Sequence, residues 1–321
     1  MNGWQEIPIN EIAGVRFGQA QSEQGLTGVT VAIFDQGGLG GLMVCGGGPA
    51  SRETLLLSPL SAPKKIHAIV FSGGSAYGLA AADGVMKYLE ERAIGYHIHN
   101  VIVPLVVQSS IFDLLIGDEQ IRPDAQMAYE ACLTSEKYLV PQSGSVGAGK
   151  GATVGKVCGM QQAQKSGIGF FALSLGKLQV GAMVVVNAVG DIFDYQTHQQ
   201  LAGTLTQDRQ HFLGSEKQLQ HNLAQLKIAG NTTLGAIFTN AKFSEVEMNR
   251  IAKMASFGLA RSISPVATLA DGDSIYACSL GEESADLNVV GTLAATVLSE
   301  AITLAIKKST MTETEFLAQI R

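Results

Sequence analysis

The stretch Gly230-Asn-Thr-Thr-Leu-Gly-Ala-Ile-Phe-Thr239 joins a polar segment of the chain to an apolar run. Residues 232–239 carry no charge and are rich in β-branched and apolar side chains, which predicts a strand buried on both faces. The preceding segment, 204–230, is rich in Gln, His, Lys and Asn and is expected to be exposed. A threonine therefore begins a core strand directly after an exposed segment.

Strands are predicted in hairpin-like groups, with helices between and after them. The strands are expected at 29–34, 42–45 (after a turn over 35–41), 68–71, 102–107, 170–175, 179–186 and 274–280. Helices are expected at 77–92, after a capping box of Ser244 and Glu247, and after Asp286. Since βαβ alternation and internal repeats are absent, this order favours a layered α/β sandwich with helices outside two packed sheets over a doubly wound sheet. No linker divides the chain, so we expect one domain over 1–321.

The composition excludes several classes of protein. Hydrophobic residues make up 46% and charged residues 16% of the 321 residues, and the net charge is −6 without a basic stripe, which excludes a nucleic-acid partner. The longest apolar run, 289–306, is interrupted by Glu300 and predicts a packed helix instead of a membrane span. The N-terminus does not read as a signal peptide, and the four cysteines form no zinc or CxxC pattern. We expect a cytoplasmic protein without a metal, cofactor or membrane partner.

The dipeptide Asn231-Thr232 is the first candidate for chemistry. Gly230 and Asn231 tolerate strained turns, which an internal acyl shift needs from the residues before it. A threonine freed at a chain start gains its own α-amine as a base, with an ordinary pKa of ~7.7–8.0. On spacing alone, the dipeptide more simply indicates a strand that begins after an Asn turn.

Three further groups of residues are candidates. In Asp271-Gly-Asp273 an extended backbone would place both carboxylates on one face, although on spacing alone a solvated turn is the simpler interpretation and a metal-binding pair is a further alternative. The run 144–156 has the spacing of a phosphate-binding loop, but neither Lys150 nor Lys156 is followed by Ser or Thr. It can also be a flexible loop, or place one lysine at an active site. Asn187 ends an apolar strand and either donates its amide to an oxyanion or forms a turn.

Six motifs follow one another in an order typical of one known family. They are Ser72-Gly-Gly-Ser-Ala-Tyr77-Gly-Leu79 with Ala81-Ala-Asp-Gly-Val85, Gly151-Ala-Thr-Val-Gly-Lys156, Val185-Val-Asn187-Ala-Val-Gly-Asp191, Asn231-Thr-Thr-Leu-Gly235, Thr239-Asn-Ala241 and Asp271-Gly-Asp-Ser274. From about residue 10 to 308, the chain resembles the DmpA-type L-aminopeptidase/D-esterase family, which includes β-peptidyl aminopeptidases and nylon-oligomer (6-aminohexanoate) endohydrolases. This resemblance implies a four-layer αββα sandwich similar to the N-terminal-nucleophile hydrolases.

The resemblance also implies self-cleavage between Asn231 and Thr232. The products would be a large subunit, 1–231, and a small subunit, 232–321, in a homo-oligomer such as a tetramer, which hydrolyses small peptides or amides. Thr232 would be the nucleophile, and Lys156 and Asn187 would stabilise charge.

The resemblance further implies that Asp271 and Asp273 hold the nucleophilic residue. Some family members have a tyrosine near 108–113, where this chain has Phe112. We expect Phe112 and Tyr77 to line the substrate pocket. Two alternatives remain open, namely a nucleotide- or phosphate-binding protein that uses 144–156 and a non-catalytic homologue.

Overall fold

The strand that begins at Thr232 lies inside a large mixed sheet of the computed structural model, which describes residues 3–62, 64–221 and 230–321. The strands are β1 (Gln5–Ile7), β2 (Arg16–Ser22), β3 (Thr27–Val44), β4 (Ala50–Arg52), β5 (Lys65–Ser72), β6 (Tyr96–Ile98), β7 (Val101–Val103), β8 (Val106–Ser110), β9 (Thr153–Val154), β10 (Gln164–Lys165), β11 (Ile168–Leu175), β12 (Leu178–Asn187), β13 (Asp191–Phe193), β14 (Gln200–Ala202), β15 (Thr232–Ala241), β16 (Ile263–Ser264) and β17 (Ser274–Glu283). The α-helices are α1 (Ala81–Glu90), α2 (Ala125–Ser135), α3 (Ser215–His221), α4 (Glu245–Ser262), α5 (Leu287–Lys307) and α6 (Glu313–Ala318).

Strand β3 is continuous, so the predicted division into two strands around a turn at 35–41 is wrong. Gly37 has a φ of 65°, and the pairing of β3 with β5 shifts register between Ile33 and Gly38. An irregularity of this kind bends a strand without ending it. The first half of β3 pairs with β2 and β5, and its second half pairs with β17. Strand β3 thus connects two parts of the large sheet.

The two parts of this sheet pack face to face and form the inner layers of a sandwich. Their order is β1-β11-β12-β15-β17-β3 in the first and β3-β5-β8-β4 in the second, with β2 beside β3. The apolar layer between them contains Phe17, Phe71, Phe170, Phe238 and Tyr276. Helices α4 and α5 cover the outer face of the first part, and α1 and α2 cover the second. The αββα architecture predicted from the sequence is confirmed.

Both long helices begin where the sequence predicted. Ser244 and Glu247 form the capping box of α4, and the Asp286 side chain accepts from two N–H groups at the start of α5. Helix α5 is long and apolar enough to cross a membrane by length and composition, but it is largely buried against the sheet. It is thus the packed helix that Glu300 indicated.

Several predicted boundaries shift for local reasons. The predicted helix 77–92 divides into a 3-10 turn over Ser75–Ala80 and then α1. The predicted strand 102–107 breaks at Pro104, which has no N–H for a ladder. In the segment 204–230, Thr204 and Ser215 are buried and hydrogen-bonded to each other. Residues 222–229 of that segment lie outside the described residues.

Strand pairing brings the candidate residues together. In the antiparallel pair β12–β15, Thr232 lies opposite Asn187. In the parallel pair β15–β17, Leu234 lies beside Ser274, and Asn231 forms a bridge with Asp271. The candidate catalytic residues therefore lie close together at one end of strands β12, β15 and β17.

Candidate active site

The peptide carbonyl of Asn231 lies between two hydrogen-bond donors. The backbone N–H of Gly272 donates to this oxygen over 2.8 Å, and the Thr232 hydroxyl also donates to it. The Thr232 side chain is buried, with 4% of the residue exposed. A hydroxyl beside the preceding carbonyl, together with an N–H that polarises this carbonyl, is the arrangement from which an internal acyl shift can start.

Two glycines make this arrangement possible. Gly230 has a φ of 78°, in the region that favours glycine. A Cβ at Gly230 would lie 2.4 Å from the Phe112 ring. A Cβ at Gly272 would lie 2.8 Å from Thr232 Oγ1. Gly230 lies close to Phe112 and Gly272 lies close to Thr232, so the backbone around the Asn231–Thr232 bond is tightly packed.

The two aspartates hold the backbone around Thr232. Asp273 accepts from the N–H of Thr233 at 2.5 Å and from that of Ala267 at 3.0 Å. Asp271 accepts from the N–H and hydroxyl of Thr268 at 3.0 and 2.6 Å. Both aspartates are buried, so the predicted solvated turn does not occur here. Burial raises the pKa of Asp273 to about 7, and repulsion from the Asp271 carboxylate adds to this shift.

The Lys156 side chain contacts Asn187, which lies opposite Thr232 in the β12–β15 pair. Its Nζ donates to the backbone oxygen and to Oδ1 of Asn187, both at 2.9 Å. Burial lowers the pKa of Lys156 to about 7, although the carboxylates of Asp271, Asp113 and Asp273 act in the opposite direction. At neutral pH this lysine can therefore exist in both its neutral and its charged form.

The side-chain amide of Asn187 bridges the two sides of the site. Its Nδ2 donates to the backbone oxygen of Phe112 at 3.1 Å and to that of Gly230 at 3.4 Å. This amide thus contacts the carbonyl one residue before Asn231. The N–H on the Asn231 carbonyl comes instead from Gly272, a donor that the sequence analysis missed. Its only signal in the sequence was a glycine between the two candidate aspartates.

The two expected pocket residues differ in position. Phe112 packs against Gly230 and adjoins the site through its backbone oxygen. Tyr77 is 61% exposed, and the Arg122 guanidinium lies 3.7 Å from its ring centroid. Within the described ranges, Tyr77 makes no hydrogen bond with Thr232, Asn187 or Lys156. The structure therefore brings Phe112 to the site and leaves Tyr77 apart from these three residues.

The glycine-rich run 144–156 does not have the geometry of a phosphate-binding loop. It contains a short 3-10 turn, Gly147–Gly149, and β9, whereas a phosphate loop opens an α-helix. Its lysines have partners in the protein, since Lys150 pairs with Glu23 at 2.5 Å and Lys156 contacts Asn187. The run therefore supports the interpretation in which it places one lysine at the site.

Comparisons with known proteins identify the family of this chain. The chain matches the model of peptidase family S58 over residues 8–316. An uncharacterized aminopeptidase of Mycobacterium leprae (strain TN) is 39% identical over 264 residues, which cover 79% of this chain and 71% of that protein. A 6-aminohexanoate-oligomer endohydrolase of Agromyces sp. (strain KY5R) is 30% identical over 314 residues, which cover 91% and 84%.

Solved structures share the fold at low sequence identity. An L-aminopeptidase D-Ala-esterase/amidase from Ochrobactrum anthropi, described as a variant of the Ntn hydrolase fold, superposes with a TM-score of 0.70 at 17% identity and covers 96% of this chain and 88% of its own. A Burkholderia sp. beta-aminopeptidase superposes with a TM-score of 0.69 at 19% identity and covers 97% and 91%. From the family match and the sequence relatives, we conclude that the chain belongs to peptidase family S58 and is a hydrolase of peptide or amide bonds.

Proposed function

We propose that this hydrolase cuts its own chain between Asn231 and Thr232 and then uses Thr232 as an N-terminal nucleophile. The position of the Asn231 carbonyl, between the Thr232 hydroxyl and the Gly272 N–H, carries the proposal. The proposed products are fragments 1–231 and 232–321, which stay together in a homo-oligomer. The geometry that supports this cut belongs to described residues on both sides of the bond.

Self-cleavage begins when Thr232 Oγ attacks the carbonyl carbon of Asn231. Neutral Lys156 accepts the hydroxyl proton, and the Gly272 N–H stabilises the oxyanion. The C–N bond then breaks, the Thr232 nitrogen takes up the proton, and Asn231 is left as an ester on Oγ. Water hydrolyses this ester to give a carboxylate at Asn231 and a free amine at Thr232.

Turnover repeats the attack on an external amide. The Thr232 amine now serves as the base for its own hydroxyl, so no histidine is needed. The Asn187 amide, freed from the Gly230 carbonyl, donates to the new oxyanion, and Lys156 contributes to charge stabilisation. The buried carboxylates of Asp271 and Asp273 hold the Thr232 ammonium. Water then releases the acyl group from Oγ.

The proposed substrates are short peptides or related linear amides. The names of two relatives favour this class, namely an aminopeptidase and a 6-aminohexanoate-oligomer endohydrolase. A panel of aminoacyl p-nitroanilides and linear amide oligomers distinguishes these two kinds of substrate.

Denaturing mass spectrometry of freshly made protein tests the cut directly. We expect the 33.7 kDa chain to give way to two species that correspond to 1–231 and 232–321. A chain that stays whole after prolonged incubation, or that is cut at another bond, would contradict the proposal. A chain that is cut correctly but reacts with no amide or ester probe would indicate a non-catalytic homologue.

Substitution of Gly230 by alanine is expected to slow the cut by roughly 10²-fold, because the new Cβ would collide with Phe112 and displace the Asn231 carbonyl. The measurement is the rate at which fragment 232–321 forms. Gly176→Ala is the matched control, since Gly176 also has a positive φ of 61° but, in the part of the chain that the structure describes, no atom lies within 4 Å of a new Cβ. Equal rates for the two variants would exclude the steric explanation.

A further inference from the structure

The amide of Asn187 has only one orientation that satisfies its neighbours. Its Oδ1 accepts from Lys156 Nζ at 2.9 Å, from the Thr153 N–H at 3.1 Å and from the Thr153 hydroxyl at 3.3 Å. Its Nδ2 faces the backbone oxygens of Phe112 and Gly230. A reversed amide would place its NH₂ group against these donors in a fully buried position, where unpaired polar groups are costly.

Thr153 is fixed in place by a buried lysine that the proposed reaction does not use. Strand β9 pairs with β10, with Thr153 opposite Lys165. The Lys165 Nζ donates to the backbone oxygens of Ser166 at 2.7 Å, Ala152 at 2.9 Å and Gly149 at 3.3 Å. Two of these oxygens, those of Gly149 and Ala152, belong to the chain directly before Thr153, so the buried lysine fixes the position of that chain.

We propose that Thr153, held by Lys165, is a positioning residue that keeps the Asn187 amide with its NH₂ group directed into the active site. This inference rests on the proposed function, because it assigns Asn187 the role of an oxyanion donor. Thr153 touches neither the scissile carbonyl nor the nucleophile and acts through Asn187. Two of the three donors to Asn187 Oδ1 come from this one residue, and the hydroxyl is the donor that requires a threonine or a serine at this position of the glycine-rich run.

A double-mutant cycle between Thr153 and Asn187 tests the proposal. Thr153→Val keeps the shape of the side chain but removes the hydroxyl, and is expected to lower kcat for a p-nitroanilide about tenfold with KM nearly unchanged. Thr153→Ser restores the hydroxyl and is expected to restore kcat. In an Asn187→Ala background, Thr153→Val is expected to have no further effect. A Thr153→Val cost that persists without Asn187 would overturn the proposal.

Thr239→Val is the matched control for loss of a buried, hydrogen-bonded hydroxyl. Thr239 lies near the far end of β15 and donates to the Gln179 backbone oxygen at 2.9 Å. The control is expected to lower stability without changing kcat. If Thr239→Val lowers kcat as much as Thr153→Val does, a general loss of stability explains both and the proposal is wrong.

A second measurement covers variants that remain uncut. In a Thr232→Ala chain, the NMR signals of the Asn187 NH₂ group are identified by their loss in Asn187→Ala. Thr153→Val and Lys165→Met are expected to speed hydrogen exchange of these two protons at least tenfold relative to Thr153→Ser. Unchanged exchange would overturn the proposal. If the Asn187→Ala variant is cut and turns over substrate at the rates of the wild type, the role of Asn187 in the proposed function is wrong instead.

Discussion

Thr232→Ala is expected to stay in one piece and to lose hydrolytic activity almost completely. Without Oγ, nothing can attack the Asn231 carbonyl, and no N-terminal nucleophile is formed. In turnover the loss should be roughly 10⁶-fold, the order of magnitude for removal of a catalytic hydroxyl. Mass spectrometry after prolonged incubation and a p-nitroanilide assay measure the two effects.

Thr232→Ser is the matched control, because it keeps the hydroxyl and removes only a methyl group. It should still cut and still turn over substrate, with rates changed by its freer side-chain rotation. Fragment 232–321 from a Thr232→Ala chain would show that another residue performs the attack. A fragment 233–321 would instead indicate an acyl shift by the adjacent Thr233, whose hydroxyl is buried and, among the described residues, has no hydrogen-bond partner.

Self-cleavage is expected to accelerate as the pH rises through about 7, where Lys156 loses its proton. The direction follows from burial, which favours the neutral amine, the form that can accept the Thr232 proton. Lys156→Met should slow the cut by roughly 10²- to 10⁴-fold, the usual contribution of a general base, and remove this pH dependence. The rate of fragment formation from pH 5 to pH 9 measures both effects.

Lys150→Met is the control, because Lys150 lies in the same glycine-rich run but pairs with Glu23 instead of contacting Asn187. It should keep the rise through pH 7. A cutting rate that falls above pH 7 would show that Lys156 acts as an ammonium during cleavage. A rise that survives Lys156→Met would assign the titration to Asp273, whose pKa also lies at about 7.

Lysine protonation also links pH to the stability of the uncut chain. The pKa of Lys156 is lower in the folded chain than the ordinary ~10.4, so the unfolded chain binds more protons between about pH 7 and pH 10.4. This group therefore contributes stability that is fully present above about pH 10.4 and is lost as the pH falls to about 7. In a Thr232→Ala background, Lys156→Met should flatten that part of the stability curve.

Local patterns in the sequence were enough to predict the sandwich. The capping box at Ser244 and the apolar run after Thr232 each specify an element from neighbouring residues alone. The continuity of β3 was missed because Gly37 suggests a turn, and only pairing with β5 and β17 shows a bend. Where the end of a strand depends on pairing with distant strands, that end cannot be predicted from the residues of the strand itself.

The candidate site divides in the same way. Thr232, Asp271, Asp273, Lys156 and Asn187 carry recognisable side chains, and strand pairing brings them together. The Gly272 donor is a backbone N–H, which every residue except proline possesses, so its role depends entirely on where the chain turns. The contribution of Thr153 likewise depends on a buried contact with Asn187 and has no signature in spacing.

The strand order has a consequence for what a cut at Thr232 leaves behind. Strands β15 and β17 belong to the C-terminal piece, yet they lie between β12 and β3 of the N-terminal piece. The two pieces would be interleaved, with hydrogen-bonded ladders on both sides. They could separate only by dismantling the middle of the sheet, so dissociation and global unfolding would be one event. After a cut, refolding would therefore be expected to be bimolecular, because two pieces must meet. The assembled protein would be expected to unfold slowly.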